Sequence, residues 1–440
     1  MTNAANGSER GINPYQRRTL LAGAVGNAIE FYDFIVYAYL AGYFAAQFFP
    51  THDPVAAMLA SYGAFATGMI MRPVGGIVFG NIGDRIGRKA ALQLSVLLIA
   101  IPTLLIGMMP TYATIGLWAP ILLILLRMLQ GLSVGGEYSS SIVFLIEHAP
   151  PKQRGFVGGF SPMGAFGGLL LGTVVSFLCT TAFGKAVMAD WGWRVPFIAS
   201  IFLTGIGVAA RKALTQDILN KEDVLKSPVR EAFRHYWQPM AAIALANTAT
   251  GIVSFVGFMY CVPWMVKEAG VPTTLALAVN MFGLLMVSLL SIVGGRLGDR
   301  FGRLRISRIG VLILFLCAWP AFTLFRSGDT IAMLCGGLLL AIGQGFFLGP
   351  LSASMATLLP KQVRVTGLSF GYSLAVGVFG GLAPMLTEFL IARFGLSMAP
   401  ALVIMIGALV SLITLSLHPL WRHNSGHLPE DDLPVTTSAA

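Results

Sequence analysis

The chain has 440 residues, 56% of them hydrophobic and 11% charged, with a formal net charge of +10 and a mean hydropathy of +0.76. A water-soluble domain carries roughly 25% charged residues, so a soluble enzyme and a disordered polymer are both excluded. Long unbroken apolar blocks also exclude the alternating strands of a membrane β-barrel, which leaves an all-α membrane protein.

A helix that crosses a bilayer takes ~20 apolar residues. Blocks of that length predict about twelve spans, near 27–43, 57–79, 92–108, 115–146, 157–180, 195–210, 240–266, 275–293, 309–324, 331–358, 368–392 and 400–417. The first has no short apolar core with a cleavage site, so it reads as an uncleaved signal-anchor. Lys and Arg fall between the blocks, twenty-two on one set of connections and five on the other. That asymmetry predicts cytoplasmic termini and argues against a nucleic-acid partner. Only Arg72 and Arg127 lie within spans. Cys179, Cys261, Cys317 and Cys335 sit in apolar stretches without CxxC spacing, which predicts buried free thiols and no metal or cofactor.

The longest polar segment, about 215–238, divides the spans six and six. GNIGDRIGRK at 80–89 recurs as GRLGDRFGRL at 295–304, Gln130-Gly131 as Gln344-Gly345, and PKQR at 151–154 as PKQVR at 360–364. Three echoes at nearly one offset predict two parallel six-helix bundles, 1–213 and 238–420, with a linker at 214–237 and a tail at 421–440. Parallel repeats place a substrate site between the bundles near mid-membrane.

The repeated GxxGDRxGRK pattern resembles the loop after the second helix of major facilitator superfamily transporters. The resemblance implies twelve helices, with Asp84, Arg85, Arg88, Asp299, Arg300 and Arg303 forming charge pairs that close the cytoplasmic side. EHAPPKQRG at 147–155 resembles the turn after that family's fourth helix, so Glu147 is expected to meet Arg85 or Arg88, with Arg154 and its repeat mate Arg364 nearby. DWGWRVPF at 190–197 opens the sixth helix, and its tryptophans are expected in the outer interface belt. GNAIEFYDFIVY at 26–37, Arg72-Pro73, and RMLQGLSVGGEY at 127–138 are similar to the metabolite:proton symporter family, whose members import small organic ions. One departure is RKALTQD at 211–217, where that family usually carries an acidic RxxLxE[ST] run.

An ionisable group within a span costs at least ~2.5 kcal/mol, so each is a functional hypothesis. At ~1.5 Å rise per residue, Glu137 lies near ~15 Å above the cytoplasmic helix ends, Glu30 and Arg72 near ~18 Å, Asp33 near ~22 Å and Arg127 near ~30 Å. Arg72 is expected to neutralise Asp33 or Glu30, as a structural pair or as part of the coupling. Arg127, whose repeat counterpart is Ala341, offers a planar fork for a carboxylate, with Gln130 on the same helix face. No histidine lies mid-span, so a carboxylate carries the proton: Glu30, Asp33 or Glu137, with Asp33 favoured. Tyr37, Asn27, Asn247 and Gln344 are candidate polar contacts.

The function expected is proton symport of a small carboxylate-bearing metabolite by a monomer in the bacterial inner membrane. The alternative within that class is a proline or betaine osmolyte, its cation caged by Phe31, Tyr32 and Tyr37. The tail carries Pro429 and Pro434 and no heptads, which speaks against an osmosensing coiled coil. A drug exporter is the competitor of another class, but the fifth helix lacks the GPxxGG pattern, and no HExxH, GxSxG or phosphate loop marks an enzyme.

Overall fold

Backbone amides in hydrocarbon have no water to bond, so a chain this apolar satisfies them inside helices. The computed structural model describes residues 14–50, 54–212, 225 and 227–422, and the described residues are helices and short connections. Helix α1 is Pro14–Phe48, α2 Pro54–Arg85, α3 Arg88–Met108 and α4 Trp118–Glu147. Helix α5 comes in two pieces, Arg154–Gly158 and Phe160–Val187, and α6 is Arg194–Lys212. After a short helix at Pro228–His235 comes α7, made of Trp237–Ala246, Thr248–Ile252, a π-helical stretch Val253–Tyr260, and Cys261–Glu268. Then follow α8 (Thr273–Phe301), α9 (Arg303–Arg326) and α10 (Thr330–Ala356). Helix α11 joins Arg364–Ser373, a π-helical stretch Leu374–Gly380, and Gly381–Phe394, and α12 is Ala399–Leu417. Among the described residues, ten helices are long and apolar enough to cross a membrane, and Arg194–Gly207 is a shorter apolar one.

Small residues set the helix contacts, as expected where lipid tails are as apolar as leucine. In the first six helices, α2 packs along α4, α1 along α5, and α3 along α4 and α6. Gly135 is required by the first contact, since a Cβ there would sit 1.9 Å from the Arg72 carbonyl oxygen. In the later helices, α10 packs on α8 and α9, and α12 on α9. Contact between the two sets runs chiefly along α2–α11 and α5–α8. The first glycine of each copy of the repeated motif makes that approach. A Cβ on Gly80 would lie 2.5 Å from Thr366 Cα, and one on Gly295 would lie 2.2 Å from the Gly155 carbonyl oxygen.

Three sequence expectations change. Gly116 turns the chain at φ 57° after a one-turn helix at Tyr112–Ile115, so the fourth long helix starts at Trp118, not 115. Of the two belt tryptophans, Trp191 is exposed but Trp193 is fully buried among Phe44, Phe48 and Phe197, its N–H donating to Gln47. All four cysteines are free, yet only Cys261 is buried and Cys335 is exposed. The linker residues 213–224 and 226, the tail from 423, and the side chains of Arg88, Arg211 and Lys212 lie outside what is described.

Candidate functional site

Helix α1 puts Glu30 and Asp33 one turn apart on a face covered by α2, α3 and α4, and both carboxylates are buried. Arg72 meets Glu30, and Thr103 meets Asp33. Arg72, from α2, lies with Nη2 3.8 Å from Glu30 Oε1, both groups buried, and its guanidinium is about 6 Å from the rings of Phe31 and Phe34. Of the two acids expected to meet Arg72, the structure places Glu30 there.

Asp33 is held from α3. The Thr103 hydroxyl donates to Asp33 Oδ2 and also lies 2.8 Å from the Ile99 carbonyl, while Asp33 Oδ1 has no hydrogen-bond partner among the described residues. Thr103 Oγ1 in turn accepts from Gln130 Nε2 at 2.7 Å, and Gln130 Oε1 accepts from Arg127 Nη1 at 2.7 Å. Helical rise alone separates Asp33 and Arg127 by about 8 Å. The structure bridges that gap because Arg127 reaches down its own helix to Gln130.

The Arg127 side chain is 1% exposed and sits in an aromatic cup. Its Cζ is 4.1 Å from the Tyr37 ring centroid and 5.1 Å from those of Phe34 and Phe65. With Nη1 given to Gln130, Nε and Nη2 have no hydrogen-bond partner among the described residues. These two atoms form one edge of the planar group, the edge that grips both oxygens of a carboxylate.

The other candidates scatter. Glu137 accepts from Ser95 of α3, whose carbonyl in turn accepts from Ser133. Asn27 gives its amide hydrogens to Ser141 and to the Ser161 carbonyl, at the junction of α1, α4 and α5. Asn247 donates to the Ile243 carbonyl and to Met355 Sδ. Gln344 is fully buried, and among the described residues neither its oxygen nor its nitrogen has a hydrogen-bond partner. Tyr37 offers Arg127 its ring while its hydroxyl bonds Ser61. The expected cage of Phe31, Tyr32 and Tyr37 does not assemble. Tyr32 donates to the Pro196 carbonyl of α6, Tyr37 lies under Arg127, and Phe31 packs edge-on against Tyr138.

Several participants carry no charge and were invisible to a search for ionisable groups. They are Thr103, Ser95, and the link in which Asn280 of α8 donates to the Tyr39 hydroxyl of α1 at 2.7 Å. The stacked pair Tyr138–Tyr372, 4.4 Å between centroids, also joins α4 to α11.

At the end of the helices that carries the repeated motif, its acids also bond backbone N–H groups. The Asp84 carboxylate accepts the backbone N–H groups of Val365 (3.2 Å) and Thr366 (2.8 Å), in the first turn of α11. The Asp299 carboxylate accepts those of Gly155 (2.8 Å) and Phe156 (2.7 Å), in the first turn of α5. Each acid therefore caps a helix of the opposite set, where unpaired N–H groups and the positive dipole end favour an anion. Arg303 adds an ion pair to Asp299 at 2.9 Å and donates to the Pro151 carbonyl. Glu147 pairs with Arg364, at 2.9 Å across the two sets. Arg154 is buried at the start of α5, whereas Arg85 and Arg300 are exposed.

The sequence matches the Major Facilitator Superfamily over residues 23–374 and 262–437. It is 34% identical over 418 residues to a proline/betaine transporter of Escherichia coli, covering 90% of this chain and 82% of that one. It is 32% identical over 424 residues to an ectoine/proline transporter of Corynebacterium glutamicum, covering 92% and 84%. Among solved structures, the proton:xylose symporter XylE superposes with a TM-score of 0.75 at 16% identity, over 93% of this chain and 97% of that one. The protein is a transporter, not an enzyme, and a multi-pass protein of the bacterial inner membrane. Motif, helical architecture and relatives agree that the chain belongs to the Major Facilitator Superfamily.

Proposed function

We propose that the chain is a proton-coupled symporter that imports a small zwitterion with a carboxylate, of the kind named for its proline/betaine relatives. The supporting observation is the open edge of Arg127. Nε and Nη2 have no hydrogen-bond partner among the described residues and lie buried in a cup of aromatic rings, where a carboxylate would bind them strongly. Asp33 is the competing anion. Ionised, it draws on Arg127 through their shared neighbours; protonated, it releases the guanidinium to the passenger, so passenger and proton enter together.

Charge counting favours a zwitterion over a plain organic anion. Glu30, Asp33, Glu137, Arg72 and Arg127 are all buried in α1, α2 and α4, three acids to two cations. One bound proton neutralises that set. A net-neutral passenger keeps it neutral, whereas an anion adds uncompensated charge in a low dielectric.

The bundles 1–213 and 238–420, joined by 214–237, rock about this centre. The caps by Asp84 and Asp299 and the Arg364–Glu147 pair break and reform at the cytoplasmic side. All these groups belong to one chain, so a monomer suffices.

The test is a proteoliposome uptake panel with an imposed inward proton gradient, using labelled proline, glycine betaine, citrate and 2-oxoglutarate. Proline or betaine is expected to accumulate and to be lost on adding an uncoupler. Accumulation of citrate alone, or efflux driven by the same gradient, overturns the reading.

A further inference from the structure

We infer that Thr103 and Gln130 are positioning residues that report the protonation of Asp33 to the Arg127 guanidinium, so that proton and passenger are coupled through a neutral hydrogen-bond chain. The inference rests on the symport reading above.

The geometry gives the chain a direction. Arg127 Nη1 donates to Gln130 Oε1, Gln130 Nε2 donates to Thr103 Oγ1, and the Thr103 hydroxyl donates to Asp33 Oδ2. All three links point from cation to anion. Head-to-tail hydrogen bonds polarise and strengthen one another. Thr103 is the pivot because a hydroxyl has one hydrogen. That hydrogen has two acceptors in reach, Asp33 Oδ2 and the Ile99 carbonyl oxygen at 2.8 Å.

While Asp33 is ionised, the hydrogen points to it, and the Thr103 oxygen is a strong acceptor for Gln130. When Asp33 takes a proton, its own O–H donates into Thr103 Oγ1 and the Thr103 hydrogen turns to Ile99. The last link is reversed and Thr103 accepts from two donors at once. The Gln130 bond weakens, and Arg127 is freed from its pull. The proton stays on Asp33 throughout, and none passes along the chain. Passenger affinity at Arg127 therefore rises as pH falls.

The other charged and titratable groups around Asp33 are few. Helix α1 itself carries Tyr32 beside Asp33, Glu30 one turn below and Tyr37 one turn above. Helix α2 brings Arg72, which sits at Glu30, and α4 brings Arg127, Glu137 and Tyr138. Helix α5 brings Cys179 near Tyr32, and α6 carries Arg194 at its outer end, bonded to the carbonyls of Gly107 and Met109. Helix α3 offers Asp33 only the neutral Thr103 among the described residues.

The test uses Thr103→Val, which keeps the shape and removes the hydroxyl, and Thr103→Ser, which restores the hydroxyl. Labelled proline and glycine betaine are exchanged across proteoliposomes at a series of pH values. Coupling between two linked sites is commonly about 5–150-fold in affinity, and a pH effect of that order is expected in the wild type. It is expected to shrink in the Val variant, which still exchanges, and to return in the Ser variant. An undiminished pH effect in the Val variant, or an equal loss in the Ser variant, overturns the inference.

If the wild type exchanges neither solute, the symport reading fails, but the relay is still read without a passenger. The infrared carboxyl band of Asp33, identified by its loss in Asp33→Asn, is titrated in Gln130→Leu with and without Thr103→Val. Gln130→Leu is expected to move the midpoint only where Thr103 is present. Equal shifts in the two backgrounds overturn the relay.

Discussion

Replacing Arg127 by methionine tests the open guanidinium edge with little change in packing. The methionine side chain is flexible enough to fill the cup of Tyr37, Phe34 and Phe65, and its sulfur suits aromatic neighbours. What disappears, besides the Nη1 bond to Gln130, is a pair of donors, Nε and Nη2, that no group among the described residues accepts from. A hydrogen bond to a charged group is worth about 1.5–3 kcal/mol. Two at the lower end give about 3 kcal/mol, or roughly 150-fold in Kd. The assay is equilibrium binding of labelled proline to purified protein, with thermal unfolding as the control for folding. Prolinamide, which has no carboxylate, is the second probe. It is expected to bind weakly to the wild type and to lose nothing further in Arg127→Met. Proline binding to a folded Arg127→Met variant with wild-type affinity refutes the reasoning, as does an equal loss for the two probes.

Asp33→Asn is expected to abolish accumulation driven by a proton gradient while part of the solute exchange survives, and unchanged uphill accumulation removes Asp33 from the coupling. Arg364→Met removes the cross-set ion pair with Glu147, which is only partly buried and so is worth less than the about 3–5 kcal/mol lost on breaking a fully buried pair. The cytoplasm-closed state is therefore expected to lose population, read as faster labelling from the cytoplasmic side of a cysteine replacing the buried Ser139; an unchanged rate counts against the gate. Gly80→Val places a side chain against the Thr366 backbone, so the protein is expected to insert, resist closure of α2 on α11 and stop transporting. Normal transport by that variant contradicts the close approach.

The sequence carried the architecture because membrane physics is blunt. A span must be long and apolar, and a motif repeated at 80–89 and 295–304 must be used twice in the same way. It also located the buried charges, since Glu30, Asp33, Arg72, Arg127 and Glu137 stand out against apolar neighbours. Which charge meets which was less legible. Helix neighbours and side-chain reach decide that, and height along the axis put Asp33 and Arg127 on different levels. The coupling of Asp33 to Thr103, and of Glu137 to Ser95, was hidden because a Ser or Thr in an apolar helix usually bonds its own backbone. Both hydroxyls do that as well, toward Ile99 and Leu92. The motif acids were legible in part. Asp299 does pair with the motif's Arg303, but Asp84 and Asp299 also take backbone N–H groups of helix starts that only the folded chain brings near. Trp193 was placed in the interface by residue type, whereas Gln47 supplies the partner that lets it go inside.

Proton movement caused by the passenger itself is the most direct measurement. Proteoliposomes in weak buffer, with no gradient imposed, receive a concentrated pulse of proline outside while external pH is followed. Alkalinisation that tracks proline entry, and that vanishes in Asp33→Asn, is expected. Proline entry with no proton movement would contradict the idea that buried acids and arginines exchange partners with passenger and proton.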